Sequence, residues 1–103
     1  IIWAESALSD LDAIADYIAI ENPIAAAELV QRVLKHVDQL EAHPDSGTQL
    51  PEFQSSRYRE IMEPPCRAIY RHSGEFVYVL HVIRSERMLR KSVISFRAKV
   101  QKL

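Results

Sequence analysis

Residues 66–87 read CRAIYRHSGEFVYVLHVIRSER. The run from Phe76 to Arg84 is nearly all apolar, the pattern of a strand buried on both faces. Cys66 to His72 forms a second strand-like run, and Ser73-Gly74-Glu75 supplies the turn between them. This hairpin should lie at the centre of the fold, yet it carries Arg67, Arg71, His72, His81, Arg84 and Arg87. The function has to account for so many cations on strands that ought to be hydrophobic.

Working upstream, Tyr58 to Glu63 is a further strand, separated from Cys66 by the breaker Pro64-Pro65. Residues 43–56 contain Pro44, Gly47 and Pro51 among polar neighbours and read as a loop. Before it, Ala26, Leu29, Val30, Val33, Val37 and Leu40 form a helical stripe that starts at Asn22-Pro23, a good N-cap followed by a proline tolerated at the first helical position. Ala7, Leu8, Leu11, Ile14, Ala15 and Ile18 form an earlier stripe, with Asp10, Asp12 and Asp16 lying off it. Two helices with so short a link pack antiparallel. Ile1 to Trp3 suit a short strand. Downstream, Ser85 is placed to cap a final helix whose stripe is Leu89, Val93, Phe96, Val100 and Leu103; it serves either as the last piece of the core or as an arm for a partner. The expected class is α+β, ordered β-α-α-β-β-β with a C-terminal helix, the helical hairpin packed on a small, mainly antiparallel sheet.

The 103 residues make one domain, 1–103, long enough for a single core. No apolar run approaches the ~20 residues that span a bilayer, and no basic segment followed by an apolar block marks a signal peptide, so a cytoplasmic location without membrane contact is expected. The single Cys66 shares a strand face with Ala68 and Tyr70, which favours an inert core thiol over a nucleophile. The four histidines are scattered, so neither a metal site nor a cofactor is expected. The net charge of −1 hides a split. Residues 1–56 hold ten acids against two bases, a net of −8, and residues 57–103 hold eleven bases against four acids, a net of +7. Either the basic half meets an anionic partner or the halves pair with each other.

Trp3, Ala7, Asp10-Leu11, Ile14, Tyr17-Ile18, Asn22-Pro23, Ala25-Ala26, Leu40, Pro44 and Gly47 occur in an order that resembles toxins of the RelE/ParE superfamily of bacterial type II toxin–antitoxin systems. Arg59-Glu60, Pro65, Arg67, Ile69-Tyr70 and His81-x-x-Arg84 continue the likeness through the second half. The resemblance implies an antitoxin partner, with a homodimer or a toxin–antitoxin hetero-oligomer as the assembly. It also implies one of two activities: inhibition of DNA gyrase, as in the ParE branch, or ribosome-dependent cleavage of mRNA. Cleavage needs a proton acceptor, a proton donor and cations for the developing charge, which superfamily members place on the concave sheet face. The nuclease candidates here are Arg59, Arg67, His81 and Arg84. No lysine falls between Lys35 and Lys91 and no Tyr or His follows His81, so the nuclease set is incomplete and the ParE-like reading is favoured. A member that no longer poisons anything is a third possibility.

The candidates for binding a target or antitoxin are Arg67, Arg71, Arg84, Arg87 and Arg90. Each has a plainer reading beside it. Arg67 can be a structural arginine paired with Glu60, and His81 a hydrogen-bonded core histidine. Tyr70 and Tyr78 can be cross-strand packing partners. Arg84, expected at the mouth of the final helix where a cation is mildly unfavourable, reads better as a binding residue.

Overall fold

A computed structural model describes residues 1–54 and 56–103. The elements are β1 (Ile2–Trp3), α1 (Glu5–Ala19), α2 (Pro23–Asp38) continued by a 3-10 turn (Gln39–Glu41), β2 (Thr48–Gln49), β3 (Tyr58–Glu63), β4 (Cys66–Ser73), β5 (Phe76–Arg84) and α3 (Lys91–Val100). The sheet order is β1-β5-β4-β3-β2. β1 pairs parallel with β5 and the other neighbours are antiparallel. The α+β class and the element order follow the sequence reading. β2 adds to it, as two residues of the expected 43–56 loop pair with Arg59 and Glu60 of β3.

The local chemistry explains the elements. The Asn22 side chain accepts a hydrogen bond from the Ala25 amide at 3.0 Å, and Pro23 opens α2 behind it. α1 has no side-chain cap. Instead the Ala4 amide, just ahead of the helix, donates to Val79 O at 2.9 Å, so β1 pairing runs directly into α1. Gly74 turns β4 into β5 with φ of 62°, a left-handed conformation that glycine adopts without strain.

Both sheet faces are covered. On one face Ala7, Leu11, Leu29, Val33 and Val37 of the helical hairpin pack on strand residues that include Ala68, Tyr70, Val79 and Val82. On the other, Leu50, Leu89, Ile94 and Ala98 cover Ile69, Leu80 and Ile83. Burying one such aliphatic side chain is worth about 1.5–3 kcal/mol, and β5 contributes to both layers, hence its nearly unbroken apolar run. A register shift lets Leu80 bulge, so that Tyr70 faces Val79 while Ile69 faces His81. Helix-facing positions change from Val77 and Val79 to Val82, and His81 is set among the groups beside the strand edge.

The structure corrects two expectations. The final helix starts at Lys91, with Arg90 rather than Ser85 in the cap position, and no side chain caps it. Its inward residues are Ile94 and Ala98, whereas Phe96 and Val100 of the expected stripe are 67% and 61% exposed. The cause is that residues 85–90 are held to the body by Pro65, Arg67 and Glu52, which delays the helix and rotates its buried face. Arg84 therefore does not sit at a helix mouth, and that argument for its role falls away. Tyr70 and Tyr78 are not cross-strand partners either. They lie opposite Val79 and Arg71 and belong to opposite faces of the sheet, because the intervening positions alternate.

Candidate partner-binding groove

β1 is two residues long and covers β5 only at Tyr78 and Val79. Beyond that point the β5 edge would present unpaired backbone groups, a liability that proteins commonly cover with charge. Here Asp10 of α1 does so. Its carboxylate accepts from the Val82 amide at 3.1 Å, from His81 Nδ1 at 2.6 Å and from both terminal nitrogens of Arg97. Arg97 also donates to Leu80 O at 3.0 Å. The same His81 Nδ1 lies 2.9 Å from Arg97 Nη1, so the carboxylate, the imidazole and the guanidinium converge on one point. Burial alone would raise the Asp10 pKa, but the hydrogen bonds from His81, Arg97 and Val82 outweigh it and hold the carboxyl below its ordinary value. Three distant segments, α1, β5 and α3, are tied at one carboxylate.

An open groove of about 1040 Å³ runs along this edge between α1 and the 84–93 segment. Tyr17 and Met88 give it exposed apolar walls, being 72% and 82% exposed. Arg84, Arg87 and Arg90 supply cations, and His81 and Asp10 lie at its side. Arg84 is bonded to Glu86 at 2.7 Å, a pair exposed to water and hence worth little to stability. Apolar walls with a row of cations suit an extended or amphipathic acidic segment.

The other candidates lie elsewhere. Arg67 is buried at 3% exposure, where Glu60 Oε2 accepts from it at 2.8 Å, Glu52 takes both of its terminal nitrogens and Arg87 O accepts at 2.8 Å. The pairing with Glu60 is the one its plainer reading gave. These bonds push the Arg67 pKa up, and the Arg67 guanidinium pulls Glu52 down to about 2. Arg71 is half-buried with its guanidinium 6.0 Å from the centre of the Tyr58 ring. Arg59 donates to Gly47 O at 2.8 Å. It lies in register with Tyr70 on the helix side of the sheet, while Arg67 points to the opposite side. Of the nuclease candidates, His81 and Arg84 thus share the groove and Arg59 and Arg67 do not. Cys66 is 1% exposed and burial pushes its thiol pKa up, as an inert core thiol requires. Among the described residues no cluster of His, Cys, Asp or Glu could hold a metal ion, and no helix is long and apolar enough to cross a membrane.

Asp10, Glu52 and Arg97 were not among the candidates drawn from sequence. Asp10 had a signal, an acid one position before the buried Leu11 and part of the Asp10-Leu11 resemblance. Glu52 and Arg97, in a loop and on a charged helix, had none.

Comparison with known proteins places the fold. Residues 1–89 match the family described as the ParE toxin of the type II toxin–antitoxin system parDE. The chain belongs to this family of RelE/ParE-type toxins. It is 28% identical over 89 residues to Toxin RelE2 of Caulobacter vibrioides, an alignment spanning 85% of this chain and 97% of that protein. A solved structure described as a chromosomal ParDE TA system from P. aeruginosa superposes with a TM-score of 0.69 at 29% identity, covering 82% of this chain and 92% of that one. α3 begins just past the matched region.

Proposed function

We propose that this toxin acts by binding DNA gyrase, without chemistry of its own, and that its cognate antitoxin neutralises it by laying an acidic segment along the β5-edge groove. One observation carries the first part. The sheet face opposite the helical hairpin, where a superfamily nuclease would assemble its cations, is filled by Leu50, Leu89, Ile94 and Ala98. Arg67, the candidate cation on that face, has both terminal nitrogens engaged by Glu52, Glu60 and Arg87 O. A buried arginine already paired with two carboxylates has little left to offer a phosphorane-like transition state. The groove cations Arg84, Arg87 and Arg90, beside an exposed Tyr17 and Met88, support the second part.

The Asp10–His81 pair is the arrangement best suited to moving a proton, so it supplies the test. Induction without antitoxin is scored in parallel for DNA damage signalling and for cut mRNA, with wild type and His81→Gln. Glutamine keeps a polar side chain but cannot exchange a proton near neutral pH, and general acid–base catalysis is worth ~10²–10⁴-fold. Growth arrest with DNA damage signalling in both supports gyrase binding. Ribosome-dependent cleavage by the wild type, lost in a folded His81→Gln, makes the chain an endoribonuclease; no arrest at all makes it a member that has lost its poison.

A further inference from the structure

Two of the groove's three cations, Arg87 and Arg90, hang on a segment with no regular structure of its own. Residues 85–90 form neither helix nor strand, and Arg87, Met88 and Arg90 within them are exposed. A free loop of this kind would scatter its charges over many positions, and a partner would have to order it on binding. This one is held at three points. The Ser85 amide and hydroxyl donate to Pro65 O at 2.9 and 3.2 Å. Arg67 donates to Arg87 O at 2.8 Å. Glu52 accepts from the Leu89 amide at 2.8 Å, and the Leu89 side chain beneath is 3% exposed.

We infer that Glu52 and Arg67 are positioning residues for partner recognition: they fix residues 85–90 so that Arg87 and Arg90 are presented together with Arg84, and they touch no partner themselves. The inference rests on the reading of the groove as the antitoxin site. Its chemistry is that of a fork with three tines. The Arg67 guanidinium makes four hydrogen bonds from two nitrogens, two to Glu52 and one each to Glu60 and a loop carbonyl, more than the three donors on a lysine's single nitrogen can supply. Glu52 joins the two halves, since its carboxylate holds both that guanidinium and the Leu89 amide. A buried ion pair of this sort contributes less to stability than its geometry suggests, and its best-attested use is to enforce one arrangement.

The test compares Glu52→Gln and Arg67→Lys with Arg87→Ala and Arg90→Ala. The probe is the cognate antitoxin, recovered from the co-expressed complex by denaturation and refolded onto each toxin, with association and dissociation rates followed across ionic strength. Amide exchange of Arg87 and Leu89 is read on the free toxins. Positioning predicts that Glu52→Gln and Arg67→Lys speed exchange at Arg87 and Leu89 and weaken binding roughly tenfold through faster dissociation, with the salt dependence of association unchanged. Arg87→Ala and Arg90→Ala instead slow association at low salt and flatten its salt dependence. If Glu52→Gln and Arg67→Lys bind like wild type while the alanine variants weaken, the inference is wrong and the groove reading stands. If the alanine variants bind like wild type with an unaltered salt dependence, the groove reading is wrong and the inference falls with it. Should either positioning variant fail to fold, Glu52→Asp, which keeps the charge but shortens the reach to Leu89, must show the same local exchange and faster dissociation, and wild-type behaviour there overturns the inference.

Discussion

Gly47→Ala is expected to be among the most damaging single-methyl changes available to this fold. A Cβ at Gly47 would lie 2.6 Å from Tyr70 Oη, 2.7 Å from Glu60 O and 2.7 Å from Tyr70 Cε1. None of these can yield easily: one is backbone of β3, and Tyr70 is fully buried. The Gly47 amide also donates to Tyr70 Oη at 2.9 Å, while its carbonyl accepts from Arg59 at 2.8 Å. Overpacking a core site costs about 1–3 kcal/mol, and a lost internal hydrogen bond adds about 1 kcal/mol. A loss of about 2–4 kcal/mol is therefore expected, read by urea unfolding as a lowered midpoint with an unchanged slope. Adding Tyr70→Phe removes the clash with the hydroxyl but leaves those with the ring Cε1 and Glu60 O, so the double variant should be less than additive. A Gly47→Ala protein within 0.5 kcal/mol of wild type would refute the packing described around Gly47.

Asp10→Asn removes the charge that holds Arg97 and His81 while keeping an acceptor for Val82. Hydrogen bonds to charged groups are worth about 1.5–3 kcal/mol, so stability should fall by about that much and α3 amides should exchange faster than those of α2; equal protection in both helices would contradict the clamp. Acid titration follows Glu52, whose carboxyl is lowered from its ordinary 4.5 to about 2 in the folded chain. A lowered carboxylate contributes fully above its unfolded pKa and is lost as pH falls through the folded one, so stability should decline between about 4.5 and about 2. Glu52→Gln should flatten that limb, and an unchanged acid profile would show that Glu52 is not paired as described.

The architecture was readable because its elements repeat a simple signal. Stripes at steps of three and four announced α1 and α2, and β3, β4 and β5 were bounded by Pro64-Pro65 and the Gly74 turn. What was not readable depends on contacts between distant segments. The start of α3 is set by Arg67 and Glu52 holding residues 85–90, 20 and 37 positions from their loop partners. A periodicity that includes Leu89 and Val93 cannot register that restraint. The site divided in the same way. Arg84, Arg87 and Arg90, close in sequence, do meet in one groove. Arg67 and Arg71, on the same hairpin, turn elsewhere, since Glu52 and Glu60 draw one inward and Tyr58 lies beside the other. The acidic and basic halves partly neutralise each other through Asp10–Arg97 and Glu52–Arg67, while Arg84, Arg87 and Arg90 line the groove.

The most direct test of the central claim is supercoiling of relaxed plasmid by purified DNA gyrase in the presence of the purified toxin. The account predicts that supercoiling falls as toxin is added, that His81→Gln inhibits as well as wild type, and that prior addition of the cognate antitoxin restores the activity. Undiminished supercoiling at saturating folded toxin, together with cleavage of mRNA on translating ribosomes by the same preparation, would contradict it.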